Sequence, residues 1–377
     1  MTHFGVALGF LLALSTAAMA QDEPLPDSVA RAYLAYETAM VAQDYAAASE
    51  AAATAWRAAR DERIDAELIG ILAENYGQLA LARGQYEPAY DAWRSAAEIS
   101  DRLRAPAAER AQRWYQASLA AFAQGDTSDA FRCSTRSNDA VGTGEVLADQ
   151  GLSGDIHYMI ATTAAQLGRI RLVGPHAGQA VAAYEAVEHP HDYVLGNAYY
   201  LSGVGRYIDE DRAASILDFR MAANILGALE APESAAVART AWAWAMLAGY
   251  DLDESEREAL NLRIAASEFP DIERDYPPVR IDDENFDAAP LRRAQPLYPV
   301  DAAEQGLEGV VLVQFSVNED GGIEDAEVLA SLPRGVFDRA AMRAVERWRY
   351  SPAVRDGVPV RREAIQTQFQ FMLRDDY

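Results

Sequence analysis

The sequence predicts a multidomain chain: an all-α helical-repeat solenoid followed by a small α+β domain whose elements run β, β, α, β. Three observations carry this expectation. Small residues and aromatics recur with a period of roughly 41 residues through the first two-thirds of the chain. An acidic, proline-containing stretch with no apolar period then intervenes. From Pro290 onward the apolar residues alternate with period two, broken by one helical segment. At 377 residues the chain has room for two or three domains or a repeat array.

The first element, residues 1–20, has an apolar run from Phe4 to Leu14 and then Ala18-Met19-Ala20, the small-x-small pattern at which export signals are cut. It predicts an exported protein beginning at Gln21. An uncleaved inner-membrane anchor is the alternative, although it would be short against the roughly 20 apolar residues that span a bilayer. The segment carries no Lys or Arg ahead of its apolar run. No later segment is long and apolar enough to span. Cys133 is the one cysteine, so an exported chain would hold no internal disulfide, and no cysteine near Ala20 offers a site for a lipid anchor.

The formal net charge is −25, and all 33 basic residues are arginine. A charge of that sign repels nucleic acid and anionic lipid at long range, so no nucleic-acid partner is expected. The absence of lysine removes Schiff-base and P-loop lysine chemistry.

The second element, residues 24–269, contains the repeat. "MVAQDYAAASEAAATAW", "ALARGQYEPAYDAWRSA" and "AAFAQGDTSDAFRCSTR" align so that Tyr45, Tyr86 and Thr127 are equivalent, as are Ala48, Ala89 and Ala130. Each unit reads as a helix, a tight turn at Gln-Asp, Gly-Gln or Gly-Asp, and a second helix with small and aromatic residues at helical spacing, as in Tyr86, Ala89, Tyr90 and Trp93. Weaker units follow around Gly168 and Gly205, and a last pair runs through Trp242, Trp244 and Arg257. Five or six helix pairs are expected between about residues 26 and 269, with "SNDAVGTGEVLADQGLSGD" the least regular loop. The pattern resembles tetratricopeptide-type repeats, with a longer period than is usual for them. Such an array can present a concave surface to a second protein partner, or it can be a plain spacer. Residues 1–289 carry 44 acids against 22 arginines, which favours a basic peptide, though a solvated helical surface explains the same charge.

The third element, residues 270–289, "PDIERDYPPVRIDDENFDAA", lacks an apolar period and contains Pro277-Pro278 among acids. It predicts an extended linker.

The fourth element is residues 290–377. Val311, Val313, Phe315 and Val317 alternate on one face, a turn is expected at Asn318-Glu319-Asp320-Gly321-Gly322, and a second strand resumes at Ile323. "PRGVFDRAAMRAVERWRY" then puts Phe337, Ala341, Ala344, Val345 and Trp348 on one face of a helix, leaving Arg343, Arg347 and Arg349 on the solvated side. Ser351-Pro352 stops that helix. A last strand alternates Ile365, Thr367, Phe369 and Phe371 with Gln366, Gln368 and Gln370.

The ordered set of Tyr298-Pro299, Gly306 and Gly309, Asp320-Gly321, Phe337-Asp338, Ala340-Ala341, Trp348-Arg349-Tyr350 and Pro352-Ala353 closely resembles the C-terminal domain of TonB-family energy transducers, over residues from about Pro296 to Leu373. In this resemblance Tyr298, Pro299, Gly309, Asp320, Gly321, Phe337, Trp348, Tyr350 and Pro352 are structural motif positions. The resemblance implies a periplasmic domain that captures an extended peptide, the TonB box of a TonB-dependent outer-membrane transporter, by strand addition. By family analogy the docking strand comprises Ala364, Ile365, Gln366, Thr367, Gln368, Phe369, Gln370 and Phe371. On the residues alone, the same strand merely closes the sheet, with its glutamines discouraging aggregation. A full transducer of this family carries a membrane helix with a Ser-x-x-x-His pair facing the ExbB and ExbD motor, and a proline-rich spacer. Here Ser15 is followed by Met19, and the helical array stands in place of the spacer, so ExbB and ExbD are partners only if the N-terminal segment is retained as an anchor. The other reading is an envelope scaffold or signalling adaptor with a TonB-like peptide-binding domain and no energy transduction.

Catalytic motifs are not found, and neither an enzyme nor a cofactor is expected. His189-Pro190-His191-Asp192, with Glu185 and Glu188, is the one cluster of metal-ligand character, and a plain interhelical connector explains it better. Gly203-Val204-Gly205 and Gly142-Thr143-Gly144 lack a strand-to-helix setting and read as turns. Ser202 has no nucleophile-elbow pattern around it.

Overall fold

The computed structural model describes residues 25–142, 147–187, 192–229, 231–250, 252, 254–266, 290–355 and 357–373. The expected export signal and the acidic linker lie outside the described residues. Two compact units divide the chain, Met1–Leu152 and Ser153–Tyr377.

In the first unit, α1 (Asp27–Val41) and α2 (Tyr45–Asp61), α3 (Ala66–Ala82) and α4 (Tyr86–Leu103), and α5 (Ala107–Ala123) and α6 (Thr127–Val141) form three helix pairs. The second helices begin at Tyr45, Tyr86 and Thr127, the residues the repeat aligned. The local cause is a two-residue device. Gln43, Gly84 and Gly125 take positive φ and reverse the chain, and the next residue caps the new helix. The Asp44 and Asp126 carboxylates accept the free N–H groups of Ala47 and Asp129. Ala48, Ala89 and Ala130 have no exposed surface, so each pair closes on a methyl group while Trp56, Trp93 and Trp114 fill the space between. Arg113, almost fully buried, bridges helices by pairing with Glu74 at 3.1 Å and with Glu109 at 2.7 Å. Burial raises the Glu74 carboxyl above its ordinary range, and the guanidinium opposes that shift.

The second unit continues the array with α7 (Gln150–Gln166) and α8 (Ile170–Glu185), α9 (Asp192–Ile208) and α10 (Arg212–Gly227), and α11 (Pro232–Tyr250) and α12 (Glu254–Ala266). Six pairs are therefore present among the described residues. The reversal device persists, with Gly168 and Glu210 at positive φ two residues ahead of α8 and α10. Gly203-Val204-Gly205, expected as a turn, lies inside α9 instead. A Cβ on Gly205 would fall 2.1 Å from the Cα of Gly174 in α8, and one on Gly203 would strike the Phe219 ring at 2.7 Å. Those glycines permit close helix crossing rather than chain reversal. Gly142 does end α6 with φ +82, while residues 143 and 144 lie outside the described set. Trp244 stacks on Phe219 and tilts against Tyr207, closing the core of the last pairs. No described helix is long and apolar enough to cross a membrane.

The α+β part comprises β1 (Pro290–Arg292), α13 (Val300–Glu304), β2 (Gly309–Val317), β3 (Ile323–Leu332), α14 (Asp338–Val345), β4 (Arg349–Tyr350), β5 (Ala353–Arg355), β6 (Val358–Val360) and β7 (Arg362–Phe371). Its main sheet is antiparallel with order β3-β2-β7. The hairpin turn falls where glycine and asparagine were read, with the Asn318 Oδ1 accepting N–H bonds from Asp320 and Gly322. Two departures concern short elements. The helix ends at Val345, so Trp348 sits beyond it, and four short strands pair locally as β1 with β4 and β5 with β6. Trp348 is still buried, because its Nε1 donates to Ala294 O at 2.8 Å and its ring packs against Phe315 and Phe369. A hydrogen bond to the irregular segment after β1 holds the ring where helical periodicity had placed it. Arg343, Arg347 and Arg349 are exposed.

Candidate functional site

β7 is an edge strand. β2 pairs with it from Gly309↔Phe371 to Val317↔Arg362, and no strand among the described residues pairs with its other side. Its backbone groups on that side form the row that an added strand would use.

The two faces of β7 differ. Ile365, Phe369 and Phe371 belong to the aromatic core with Val311, Val313, Phe315, Phe337 and Trp348, and Thr367 lies in register with Val313. Phe371 stacks on Phe337 at 4.4 Å and 19°, and Phe369 tilts against Trp348 at 5.5 Å. The opposite face carries Gln366, Gln368 and Gln370, in register with Gln314, Leu312 and Val310. Gln366 Nε2 donates to Gln314 Oε1 at 3.2 Å, Gln370 is exposed, and the Oε1 of Gln368 is buried with no hydrogen-bond partner. Leu312 is 0 % exposed and Val310 1 %, so this face too is closed over β2. The helix α11 approaches β7. Ala364 occupies the strand between Glu363 and Ile365.

Of the motif residues, Tyr298, Gly309, Phe337 and Trp348 meet the strand directly. Tyr298 sits edge-on to both Phe337 and Phe371, and its hydroxyl donates to Leu307 O. Pro299 leads into α13 as its N-cap residue. Gly309 lies where a Cβ would meet Leu332 O at 2.4 Å and the Phe337 ring at 2.5 Å. Gly321, with its neighbour Asp320 in the turn, accepts an N–H bond from Tyr350 at 3.0 Å. The Tyr350 hydroxyl accepts from Arg293 Nη2 at 2.9 Å, and Pro352 follows β4 half-buried. Arg293 was not singled out in the sequence. Its guanidinium lies 5.1 Å from the Trp348 ring and 5.6 Å from that of Tyr350, a cation–π position that an arginine just after a short strand does not announce.

Three polar groupings lie elsewhere in the second unit. His189 and His191, with Glu188, fall outside the described residues, while Glu185 accepts a bond from the Tyr199 hydroxyl. Among the described residues no three metal-ligating side chains converge. His157 and His176, on α7 and α8, face each other through their Nδ1 atoms at 3.0 Å, and burial, then the neighbouring ring, pulls His157 down to about 4. Ser202 donates to the Asp218 carboxylate at 2.6 Å, and Arg206 pairs with the same oxygen at 2.9 Å.

Burial dominates at Asp218 and pushes its carboxyl up to about 6, against the lowering effects of Ser202 and Arg206. Between the ordinary value of 3.8 and that raised value the folded state binds more protons than the unfolded chain. Stability from this group is therefore full below the ordinary value and is lost as pH rises toward 6. Asp218→Asn, whose amide oxygen can accept the same bonds, is expected to match wild type near pH 3.5 and to exceed it by about 2–3 kcal/mol at pH 7. Urea unfolding across that pH range measures the gap.

The profile of the family described as Gram-negative bacterial TonB protein C-terminal matches residues 294–373. The Protein TonB of Pseudomonas aeruginosa is 42 % identical over 83 residues, which is 22 % of this chain and 24 % of that protein. The Protein TonB of Escherichia coli K12 is 40 % identical over 62 residues, covering 16 % of this chain and 26 % of that protein. This chain thus spans about a quarter of the length of the curated relatives it matches. Among solved structures, the solution structure of the Pseudomonas aeruginosa TonB C-terminal domain is 36 % identical, with TM-score 0.23, over 26 % of this chain and 95 % of that one. The chain also matches the TPR2AB domain of yeast Sti1 at 12 % identity with TM-score 0.24, over 58 % of this chain and 98 % of that one.

Proposed function

We propose, from the match of residues 294–373 to the TonB C-terminal family, that this protein works in the periplasm of a Gram-negative envelope, where β7 captures the TonB-box peptide of a TonB-dependent outer-membrane transporter by strand addition. The observation that carries the reading is the edge position of the ten-residue β7, paired with β2 on one side and unpaired by strand on the other among the described residues. Main-chain bonds supply the affinity, so the partner's sequence is constrained chiefly by which side chains fit on either face. The helical array is a second surface for a protein partner. A packed array has no extensible spacer of the proline-rich kind, and this favours a reading in which the protein docks and positions its partner without transmitting a pull.

Titration of the full chain with a synthetic TonB-box peptide tests this. Binding is expected, and it is expected to fall at least about tenfold when the peptide's central residue is replaced by proline, which removes a ladder hydrogen bond without touching the protein. Gln368→Pro in the protein is expected to abolish binding as well. Equal binding of the proline peptide would rule out strand addition.

A further inference from the structure

Strand addition requires an edge strand that is already extended when the partner arrives. The end of β7 is held by groups far away in the sequence. The Leu373 N–H, two residues past the strand, donates to Glu308 Oε1 at 3.0 Å, and its C=O accepts from Arg171 Nη2 at 3.4 Å. Arg171 also pairs with Glu308 Oε1 at 3.3 Å, and the Glu308 N–H donates to Gly168 O at 3.0 Å. These bonds close a ring between the α7–α8 reversal, the residue preceding β2, and the end of β7. Gly168 suits the position twice over: its φ is +66, and a Cβ there would press on Leu307 and Glu308 O at 3.1 Å.

We infer that the α7–α8 reversal of the helical array is a clamp on the partner-binding strand, with Arg171 and Glu308 as positioning residues that keep the end of β7 extended and ready to pair. This rests on the strand-addition reading above. The clamp touches no partner. It raises the fraction of the protein whose edge is competent, and apparent affinity scales with that fraction. Glu308 carries most of the load, since it is largely buried and binds both ends, whereas Arg171 is about half-exposed (side chains 12 % and 51 %). Helical array and peptide-binding domain are thereby coupled, so whatever displaces the reversal would loosen the strand.

The test uses the full chain and three variants, Arg171→Ala, Arg171→Lys and Gly168→Val, with two readouts: amide exchange at Phe371 and Leu373, and affinity for the TonB-box peptide. Arg171→Ala removes at least the ion pair with Glu308 and the bond to Leu373 O, so about three- to tenfold faster exchange is expected, with a smaller loss of affinity, because affinity follows the competent fraction and exchange the open one. Arg171→Lys should fall between it and wild type, and Gly168→Val should exceed both, with the urea midpoint of the array unchanged in the arginine variants. Unchanged exchange in Arg171→Ala overturns the clamp. Faster exchange with equal or tighter peptide binding overturns the positioning role, the latter pointing to occlusion of the edge. A wild-type chain that binds no peptide overturns the strand-addition reading and the positioning role with it, and the exchange data then separate that failure from failure of the clamp itself.

Discussion

Gly321→Ala is expected to destabilise the α+β domain by about 3 kcal/mol or more, through a collision that no rotamer can relieve. A Cβ at this position would lie 1.9 Å from the carbonyl oxygen of Tyr350, and the backbone there has φ +78. The Tyr350 N–H that bonds to Gly321 O is part of the same contact, so the hairpin turn and β4 would separate together. Gly335→Ala separates conformational strain from contact, because Gly335 has φ +82 but open space around its absent Cβ. It should cost only about 1 kcal/mol, the ordinary penalty for a side chain in left-handed backbone. Amide exchange along β2 and β3 reports both variants. Equal protection in the two would mean that the Tyr350 contact is not what Gly321 is needed for.

The legible part of this molecule is the part with a local period. The equivalence of Tyr45, Tyr86 and Thr127 marks three helix starts, because the reversal and cap that begin each second helix are written in consecutive residues. The hairpin from Gly309 to Leu332 is legible for the same reason, its alternation and its turn chemistry being adjacent. What escaped is long-range. Gly203 and Gly205 look like turn residues to any local reading, and only the approach of Gly174 and Phe219 makes them helix-crossing residues. Glu210, which does make the turn, carries no glycine to announce it. His157 and His176 are ordinary helical residues until two helices bring their rings within 5.2 Å. The ring of bonds among Gly168, Arg171, Glu308 and Leu373 joins segments up to 202 residues apart. No periodicity or spacing encodes such a contact. The alternation of β7 was readable, while its edge position came from the family resemblance, since a strand's neighbours are not written in its own residues.

Phe337→Ala is expected to cost about 3–5 kcal/mol, the range for removing a large aromatic from a filled core. The ring has no exposed surface, stacks on Phe371, meets Tyr298 edge-on, and fills the space that Gly309 leaves by having no Cβ. Neighbours can relax little into the vacancy, because Gly309 is fixed by its pairing with Phe371 and Tyr298 by its bond to Leu307 O. Denaturant unfolding followed by exchange at β2 and β7 measures the loss. Phe371 is the residue stacked on the missing ring, so the C-terminal end of β7 should loosen before its start, where Arg361 pairs with Glu324, Asp325 and Glu363. If strand addition uses the whole of β7, peptide affinity should therefore fall even under conditions where the variant is fully folded. A variant that loses stability evenly along β7 and binds peptide like wild type would instead mean that Phe337 supports the domain as a whole and gives the binding edge no separate help.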